Sequence, residues 1–294
     1  MEAKGRESSI MMRESLKKIL DHPKFVPGCL VMGILIRLLW IYFVNAEQVA
    51  DFGVYLQRAI SIASGQGYSA NGIPTAYAPV GYPGFLGGLF YLFGRSVFLG
   101  KFVNVLFSGG ILLLTYFVSR KIFKSERAAR AALFILALHP NQIAYNGLLS
   151  AEIPFAFLIL LGAAFFLSAQ QRTSFLFLAG ISWGLAAVTK SQAIMIPPMF
   201  IVLTYSGFRS TLKSTAIIGI TGALIMAPWI FRNYVVMGVA TVDTHGGIVL
   251  MQGNNPYATG RGYWDSNVKN LLGDLAADEN GLFDGREVAR NARA

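Results

Sequence analysis

The stretch "FVPGCLVMGILIRLLWIYFV", residues 25–44, decides the fold. Arg37 is its only charged side chain. A helix needs about 20 mostly apolar residues to cross the hydrocarbon core of a bilayer, so this segment predicts a transmembrane helix. A polar tail precedes it and no small-residue cleavage pattern follows it, which distinguishes it from a signal peptide. We therefore expect this first helix to remain in the protein.

The composition of the whole chain extends this prediction. Of its 294 residues, 54% are hydrophobic and only 14% are charged, whereas soluble domains carry roughly 25% charged residues. Six further apolar runs are predicted to cross the membrane, making about seven spans: Phe98–Val118, Ala131–Tyr145, Ala151–Ala169, Phe175–Thr189, Ala193–Tyr205 and Ser214–Phe231. The run "FLGGLFYLFG" (85–94) is too short to cross and predicts a re-entrant or interfacial helix. The expected fold is an all-α polytopic membrane protein.

The distribution of lysine and arginine predicts the orientation. These residues concentrate in the tail before the first span and in the segments after the second, fourth and sixth spans. Under the positive-inside rule, this places the N-terminus in the cytoplasm and the loop that carries Asp51, the 139–150 turn, Lys190 and everything after Arg232 outside. Most of the net charge of +10 is thus explained by the lysines and arginines of the predicted cytoplasmic segments. No single basic patch interleaved with aromatic residues indicates nucleic-acid binding.

Three regions follow from these patterns: a cytoplasmic tail (1–24), a transmembrane domain (25–232) and an external soluble segment (233–294). In the last region Gly, Asn, Asp and Arg replace the apolar runs. We expect this segment to be truncated, because the sequence stops at "GREVARNARA" within what reads as an external helix. Cys29 is the single cysteine, so no intrachain disulfide can form.

The first outward loop, "ADFGVYLQRAISIASGQGYSANGIPTAYAPVGYPGF" (50–85), contains a conspicuous acid. If a helix begins near Asp51, then Asp51, Tyr55 and Arg58 share one face of it. That face would present an acid, a phenol and a cation together. The alternative is that Asp51 only caps the helix.

The rest of this loop is rich in glycine, proline and tyrosine. Gly and Pro occur too often for a helix or a regular strand. Tyr68, Tyr77 and Tyr82 suit either stacking on a sugar or anchoring at the membrane interface.

Further candidate residues lie at the predicted outer ends of later spans. Glu152 is at the boundary of the fourth span, where an ionisable group is usually paired or functional, although the helix dipole alone favours a first-turn Glu. Lys190 and Arg232 would stand at headgroup height on the same side, where they could contact a lipid phosphate or merely snorkel to the interface. In "THGGIVLMQGNNPYATGRGYW" (244–264), successive turns could bring Asn254 and Asn255 close to a ligand.

Six segments, in order, resemble a known family: "DFGVYLQRA", "PTAYAPVGYPGFLGGLF", "ARAALFILALHPNQIAY", "SAEIPFAFLILL", "RNYVVMG" and "GGIVLMQGNNPYATG". They are similar to membrane glycosyltransferases of the GT-C type. The nearest group is the bacterial family related to protein O-mannosyltransferases and aminoarabinose transferases, glycosyltransferase family 39. The resemblance implies a GT-C-like helical bundle with outward-facing loops. Members of that family are usually longer than this chain.

The resemblance also implies an activity and roles for residues. Such enzymes transfer a sugar from a polyprenyl-phosphate carrier to a hydroxyl of a lipid, glycan or protein acceptor at the outer face of the membrane. The catalytic Asp of the family corresponds to Asp51, which we expect to act as general base, and its second acid corresponds to Glu152. Lys190, Arg232 and Arg58 are expected to bind phosphate, and Tyr55, Tyr82, Asn254 and Asn255 to contact substrate. We expect inversion at the anomeric carbon.

Two other classes remain open at this stage: a transporter or flippase of lipid-linked sugars, and an inactive truncated membrane partner. Only Arg37 lies deep within a span, where a transport path usually needs more polar groups. A divalent metal also remains open as a cofactor, because His139, Asp243, His245 and Glu152 are all predicted to face outward, yet no metal-ligand spacing marks a site. The expected location is the bacterial inner membrane, within the cell envelope.

Overall fold

The computed structural model of the protein describes residues 14, 18–169, 172–204, 207–246 and 254. The helices are α1 Phe25–Phe43, α2 Asp51–Ala63, α3 Gly81–Phe93, α4 Val97–Phe123, α5 Glu126–Ala137, α6 Pro140–Ala144, α7 Glu152–Ser168, α8 Ser174–Thr189, α9 Ile196–Thr204 and α10 Phe208–Met237. Short 3₁₀ turns cover Tyr145–Gly147 and Ser191–Met195, and two short strands are β1 Ser69–Ala70 and β2 Ile73–Pro74. The predicted all-α fold is confirmed.

Helix length and composition support a membrane protein. Among the described residues, α1, α4 and α10 are long and apolar enough to cross a bilayer. Helices α7 and α8, and the segment Ser191–Thr204, are apolar but shorter. The number of spans, about seven, stays a prediction. Helix α3 covers the segment that was predicted to be too short to cross, and it has 13 residues.

Two predicted spans are interrupted by proline. The span expected over 131–145 is broken after Ala137, and His139 has extended geometry (φ −67°, ψ 116°). The ring of Pro140 disfavours helical geometry in the residue before it. The span expected over 193–205 begins instead as a 3₁₀ turn, and α9 starts next to Pro197 and Pro198. Proline is favoured in a first helical turn, whereas inside a helix it removes a backbone hydrogen bond, as Pro228 does within α10.

The chain forms two compact units, Met1–Phe52 with Ser96–Ser182 and Gly53–Arg95 with Trp183–Ala294. The first unit holds α1, α4 to α7 and the first half of α8. The second holds most of α2, the two strands, α3, the end of α8, α9 and α10.

The core of the first unit is apolar and closely packed. Cys29, Leu112, Leu133 and Ala137 form a buried cluster. Gly33 allows α1 to approach α4 closely, because a Cβ at this position would lie 2.8 Å from Cδ1 of Leu112 and that side chain would have to move. Small residues at such crossings allow helices in membranes to pack by van der Waals contact.

Arg37 lies within this apolar core, with an exposed fraction of 1%. Its Nη1 donates to the carbonyl oxygens of Gly33 and Ala137, both at 2.9 Å, and its Nη2 donates to that of Leu136 at 3.1 Å. Leu136 and Ala137 are at the C-terminal end of α5, where carbonyls lack partners within the helix and the dipole is negative. The one charge deep in the first span therefore caps a neighbouring helix.

A short hairpin in the second unit corrects the prediction that the 64–83 loop contains no regular strand. Ser69 pairs with Pro74 and Ala70 with Ile73. Asn71 and Gly72 form the turn with φ of 49° and 80°, the left-handed geometry that a two-residue hairpin turn needs and that Asn-Gly favours. The backbone amide of Thr75 donates to the carbonyl of Tyr68 at 3.3 Å and closes the hairpin. Residues 68–75 are called the Tyr68 hairpin below.

In the second unit, α8 lies in close contact with α10 and with the start of α3. Gly184 on α8 faces Gly222 on α10, and a Cβ on Gly184 would lie 3.0 Å from the Cα of Gly222. At the start of α3, a Cβ on Gly81 would lie 2.7 Å from the Cα of Thr189. The end of α8, and with it Lys190, is thus packed directly against the beginning of α3.

Candidate functional site

The Tyr68 hairpin is anchored through its first residue. The phenol of Tyr68 donates to the carbonyl oxygen of Ala78 at 2.8 Å, and its ring packs edge-on against Trp229 with ring centres 5.1 Å apart. Burial raises the pKa of the Tyr68 phenol, although the nearby positive charges of Arg58 and Arg232 oppose this rise. Tyr68 is therefore neutral at physiological pH and can act as a hydrogen-bond donor.

Arg58 holds the hairpin from the side of α2. Its Nη1 donates to the carbonyl of Ser69 at 3.1 Å, and the hydroxyls of Ser61 and Ser69 lie 2.7 Å apart beside it. Arg58 is 2% exposed, and burial lowers its pKa, but an arginine side chain remains charged in proteins. Its Nη2 is buried and has no hydrogen-bond partner within the described part of the chain. Nη2 of Arg58 is therefore a buried donor that the described residues leave unpaired.

Arg232 holds the same hairpin from the last turns of α10. Its Nη2 donates to the carbonyl of Tyr68 at 2.9 Å and its Nη1 to that of Thr75 at 2.8 Å. Its guanidinium also lies 5.0 Å from the ring centre of Trp229, a distance typical of a cation–π contact. Two guanidinium groups that come from separate helices thus meet at one hairpin.

The segment that follows α10 completes this arrangement. The indole of Trp229 donates to the carbonyl of Val242 at 2.7 Å, and the side-chain amide of Asn233, which is fully buried, donates to that of Thr241 at 2.8 Å. The amide of Thr244 donates to the carbonyl of Ala76 at 2.9 Å. Residues 241–244 are therefore tied both to the end of α10 and to the loop after the hairpin.

Tyr77 and His245 form a further contact at this edge. Their rings lie 4.6 Å apart, and the Tyr77 hydroxyl is 3.3 Å from Nε2 of His245. The backbone amide of His245 donates to Oδ1 of Asp243 at 3.1 Å. Within the described residues no three His, Cys, Asp or Glu side chains lie close enough together to hold a metal ion.

The predicted substrate-binding residues of the second unit are largely buried. The rings of Tyr55 and Tyr82 pack edge to face with centres 5.9 Å apart. The face predicted to present Asp51, Tyr55 and Arg58 together is buried at Tyr55 and Arg58 and exposed at Asp51. Lys190 follows the last turn of α8 and is half-buried.

Both predicted acids begin helices, as the sequence indicated. Asp51 is the first residue of α2 and is exposed. Glu152 is the first residue of α7 and is half-buried. Both positions are favoured for a carboxylate by the helix dipole, so placement alone does not separate a catalytic role from a capping role.

Two predicted residues lie in the segment 233–294, which the sequence predicts to be external. Asn254 is exposed and in a bend. Asn255 and most of the 244–264 block lie outside the described residues.

Sequence reasoning named Arg58 and Arg232 but missed the residues that position them. Trp229 and Asn233 had no assigned role, and Tyr68 was predicted to stack on a sugar or to anchor at the membrane interface, not to position an arginine. The available signal was the run "PWIFRN" (228–233), in which an indole and an amide flank the arginine at spacings of three residues and one. Such groups are seldom buried without hydrogen-bond partners.

Comparison with known proteins gives one match. The sequence model of the family described as "Dolichyl-phosphate-mannose-protein mannosyltransferase" matches residues 78–231, just over half of the chain. The chain matches no curated protein and no solved structure. The matched region includes Tyr82, Glu152 and Lys190, and it ends one residue before Arg232.

Proposed function

Because the chain belongs to the dolichyl-phosphate-mannose-protein mannosyltransferase family of GT-C-type membrane glycosyltransferases, we propose that it transfers a sugar from a polyprenyl-phosphate carrier to an acceptor hydroxyl. The observation that carries this proposal is the meeting of Arg58 and Arg232 at the Tyr68 hairpin. A phosphate linked to a lipid needs cations that are held in a fixed position near the membrane surface.

Arg58 and Arg232 are proposed to interact with the phosphate in different ways. Arg58 retains a buried donor, Nη2, and is proposed to bond a phosphate oxygen directly. Arg232 already donates to two carbonyls, so it is proposed to contribute mainly its charge. Lys190 is proposed as a third cation, since a lysine at a helix end can reach phosphate as a mobile point charge. Charge-assisted hydrogen bonds to phosphate are roughly twice as strong as neutral ones.

The chemistry of the transfer explains why an acid is also needed. Breaking the bond between the anomeric carbon and phosphate builds positive charge on the sugar and negative charge on the departing oxygen. The acceptor hydroxyl must lose its proton as the new bond forms. Asp51 is proposed to accept that proton, and Glu152 to orient the acceptor.

The stereochemical outcome follows from this assignment. With Asp51 acting as a base and not as a nucleophile, the acceptor attacks the anomeric carbon once, and the configuration inverts. Tyr55, Tyr82, Asn254 and Asn255 are proposed to contact the sugar or the carrier, and the acceptor class is a lipid, a glycan or a protein.

The location is part of the proposal. The concentration of lysine and arginine in alternate loops supports an N-terminus in the cytoplasm and an active side that faces outward. The bacterial inner membrane is the proposed compartment, where polyprenyl-phosphate sugars would meet acceptors of the cell envelope.

The full chain reconstituted in vesicles with a polyprenyl-phosphate sugar, radiolabelled in the sugar, tests the proposal. Membrane extract supplies lipid, glycan and protein acceptors. We expect label to appear in an acceptor fraction with release of an equal amount of polyprenyl phosphate. Label that crosses the bilayer while still attached to the carrier would instead indicate a transporter, and label that does neither would indicate an inactive partner.

A further inference from the structure

A cavity in the first unit opens at the C-terminal end of α4. It has a volume of about 530 Å³ and is lined by Phe117, Arg120, Lys121, Lys124 and Leu167. Four of these residues belong to α4 or follow it directly, and Leu167 is in the last turn of α7. The cavity therefore lies beside the ends of two helices of the same unit.

The lining separates into an apolar part and a charged part. Phe117 and Leu167 form the apolar wall. Lys121 is one helical turn beyond Phe117, about 6 Å further along the axis, and its ammonium lies 5.6 Å from the centre of the Phe117 ring. Lys124 follows the end of the helix with a left-handed φ of 51°. The backbone positions of Lys121 and Lys124 thus lie beyond Phe117 along the helix axis, and the Lys121 ammonium reaches back over the Phe117 ring.

The positive charge of the cavity is only partly compensated. Among the residues that the structure describes, Glu126 is the acid that pairs with these cations, and its Oε2 lies 3.1 Å from Nε of Arg120. Glu126 also accepts from Arg130 at 2.8 Å and from the Tyr116 hydroxyl at 2.6 Å. One carboxylate cannot neutralise Arg120, Lys121 and Lys124 together, so the cavity keeps an excess of positive charge.

We propose that this cavity binds the phosphate headgroup of an anionic phospholipid, with an acyl chain along Phe117 and Leu167. The cavity has an apolar part followed by a basic part, and a phospholipid has an apolar chain followed by a charged headgroup. Basic pockets between helices at the membrane surface are suited to anionic headgroups. The sequence predicts this end of α4 to be cytoplasmic, and α4 has 27 residues, about 40 Å of helix.

The test uses the full chain in a non-ionic detergent and measures the unfolding midpoint as lipid is added. Dioleoylphosphatidylglycerol is the anionic probe, dioleoylphosphatidylcholine the zwitterionic control, and glycerol 3-phosphate the soluble phosphate. A ligand that binds only the folded state raises the midpoint with concentration. We expect phosphatidylglycerol to raise it and the other two to leave it unchanged. Equal effects of glycerol 3-phosphate and phosphatidylglycerol would overturn the assignment to a lipid.

Two double variants and one cavity-filling variant test whether the lipid binds at this cavity. Lys121→Gln with Lys124→Gln is expected to weaken phosphatidylglycerol binding at least tenfold, since each basic residue near an anionic surface contributes about fivefold. Arg209→Gln with Lys213→Gln is the matched control, because it removes two exposed cations from the same predicted side of the membrane. Leu167→Trp, which fills the cavity without changing charge, is expected to weaken binding as well. Equal losses in the two charge pairs, or unchanged binding in Lys121→Gln with Lys124→Gln, would overturn the proposal.

Discussion

Arg37 and Arg58 are both almost completely buried, with exposed fractions of 1% and 2%, but their guanidinium groups have different surroundings. Both terminal nitrogens of Arg37 donate to carbonyls, two of which close the end of α5. Arg58 donates through Nη1 alone, to the Tyr68 hairpin, and its Nη2 has no partner among the residues that the structure describes.

This difference separates a structural cation from a candidate ligand-binding cation. A charged residue inside a membrane protein is by default a functional candidate. Arg37 would pass that criterion on sequence alone, yet both of its terminal nitrogens donate to carbonyls of the first unit, and only its Nε has no partner among the described residues. The donors that remain available, and not burial itself, indicate where an anionic substrate can bind.

The largest expected effect concerns α2, the helix that also carries Arg58. Asp51→Asn retains a side chain that can cap the helix, so it should cost at most about 1 kcal/mol of stability. It removes the proposed base, and loss of general-base catalysis slows turnover by ~10²–10⁴-fold. Turnover in reconstituted vesicles is the measurement, with donor binding followed in parallel.

Glu47→Gln is the matched control for Asp51→Asn. Glu47 is an exposed acid that precedes α2 and lies outside any helix, so it cannot share the helix face of Asp51. Its amide variant should keep normal turnover. Near-normal turnover in Asp51→Asn would return Asp51 to the role of a helix cap.

In Arg37→Leu we expect the stability of the protein to fall and its affinity for the sugar donor to stay normal. The substitution leaves the carbonyl of Ala137 without the Arg37 donor, while that of Leu136 keeps the amide of His139 at 3.3 Å, which should destabilise the protein by about 2 kcal/mol. The measurement is the unfolding midpoint in detergent, compared with Arg209→Leu, which replaces an exposed arginine. Once the variant is folded, its donor affinity should be normal. A midpoint equal to that of Arg209→Leu would show that the carbonyl contacts of Arg37 stabilise nothing.

Two glycines of α3, Gly81 and Gly88, test the helix packing of the second unit. Gly81→Ala places a Cβ 2.7 Å from the Cα of Thr189, and relieving this overlap should cost about 2 kcal/mol. The shift should also displace Lys190 and weaken donor binding. Gly88→Ala lies on the same helix with nothing within 4 Å, and it should be neutral or stabilise by about 0.5 kcal/mol. Equal unfolding midpoints for the two variants would mean that the contact between Gly81 and Thr189 does not exist.

The sequence predicted the long helices better than the short ones. Apolar length alone located α1, α4 and α10, and the six quoted segments identified the family that the match confirms. The breaks near Pro140 and Pro197 were missed because the apolar composition continues through them, although proline restricts the preceding residue whatever its hydropathy. The Asn71–Gly72 turn was missed because the residues beside it do not alternate in polarity.

The site was predicted only in part, for a physical reason. Arg232 was identified from its place at the end of a span, but its carbonyl partners Thr75 and Tyr68 lie 157 and 164 positions away in the chain. Periodicity reports on neighbours along one helix, so it cannot pair residues across such distances. For the same reason no pattern distinguished the paired terminal nitrogens of Arg37 from the unpaired Nη2 of Arg58.

Donor affinity of Arg58→Gln tests the central claim most directly. The variant should bind a polyprenyl-phosphate sugar at least tenfold more weakly, because a hydrogen bond to a charged group contributes roughly 1.5–3 kcal/mol. Gln57→Ala, at an exposed position next to it on α2, should bind the donor normally. Equilibrium binding of radiolabelled donor to the full chain in vesicles provides both values. Donor affinity within twofold of wild type in Arg58→Gln would contradict a phosphate site at the Tyr68 hairpin.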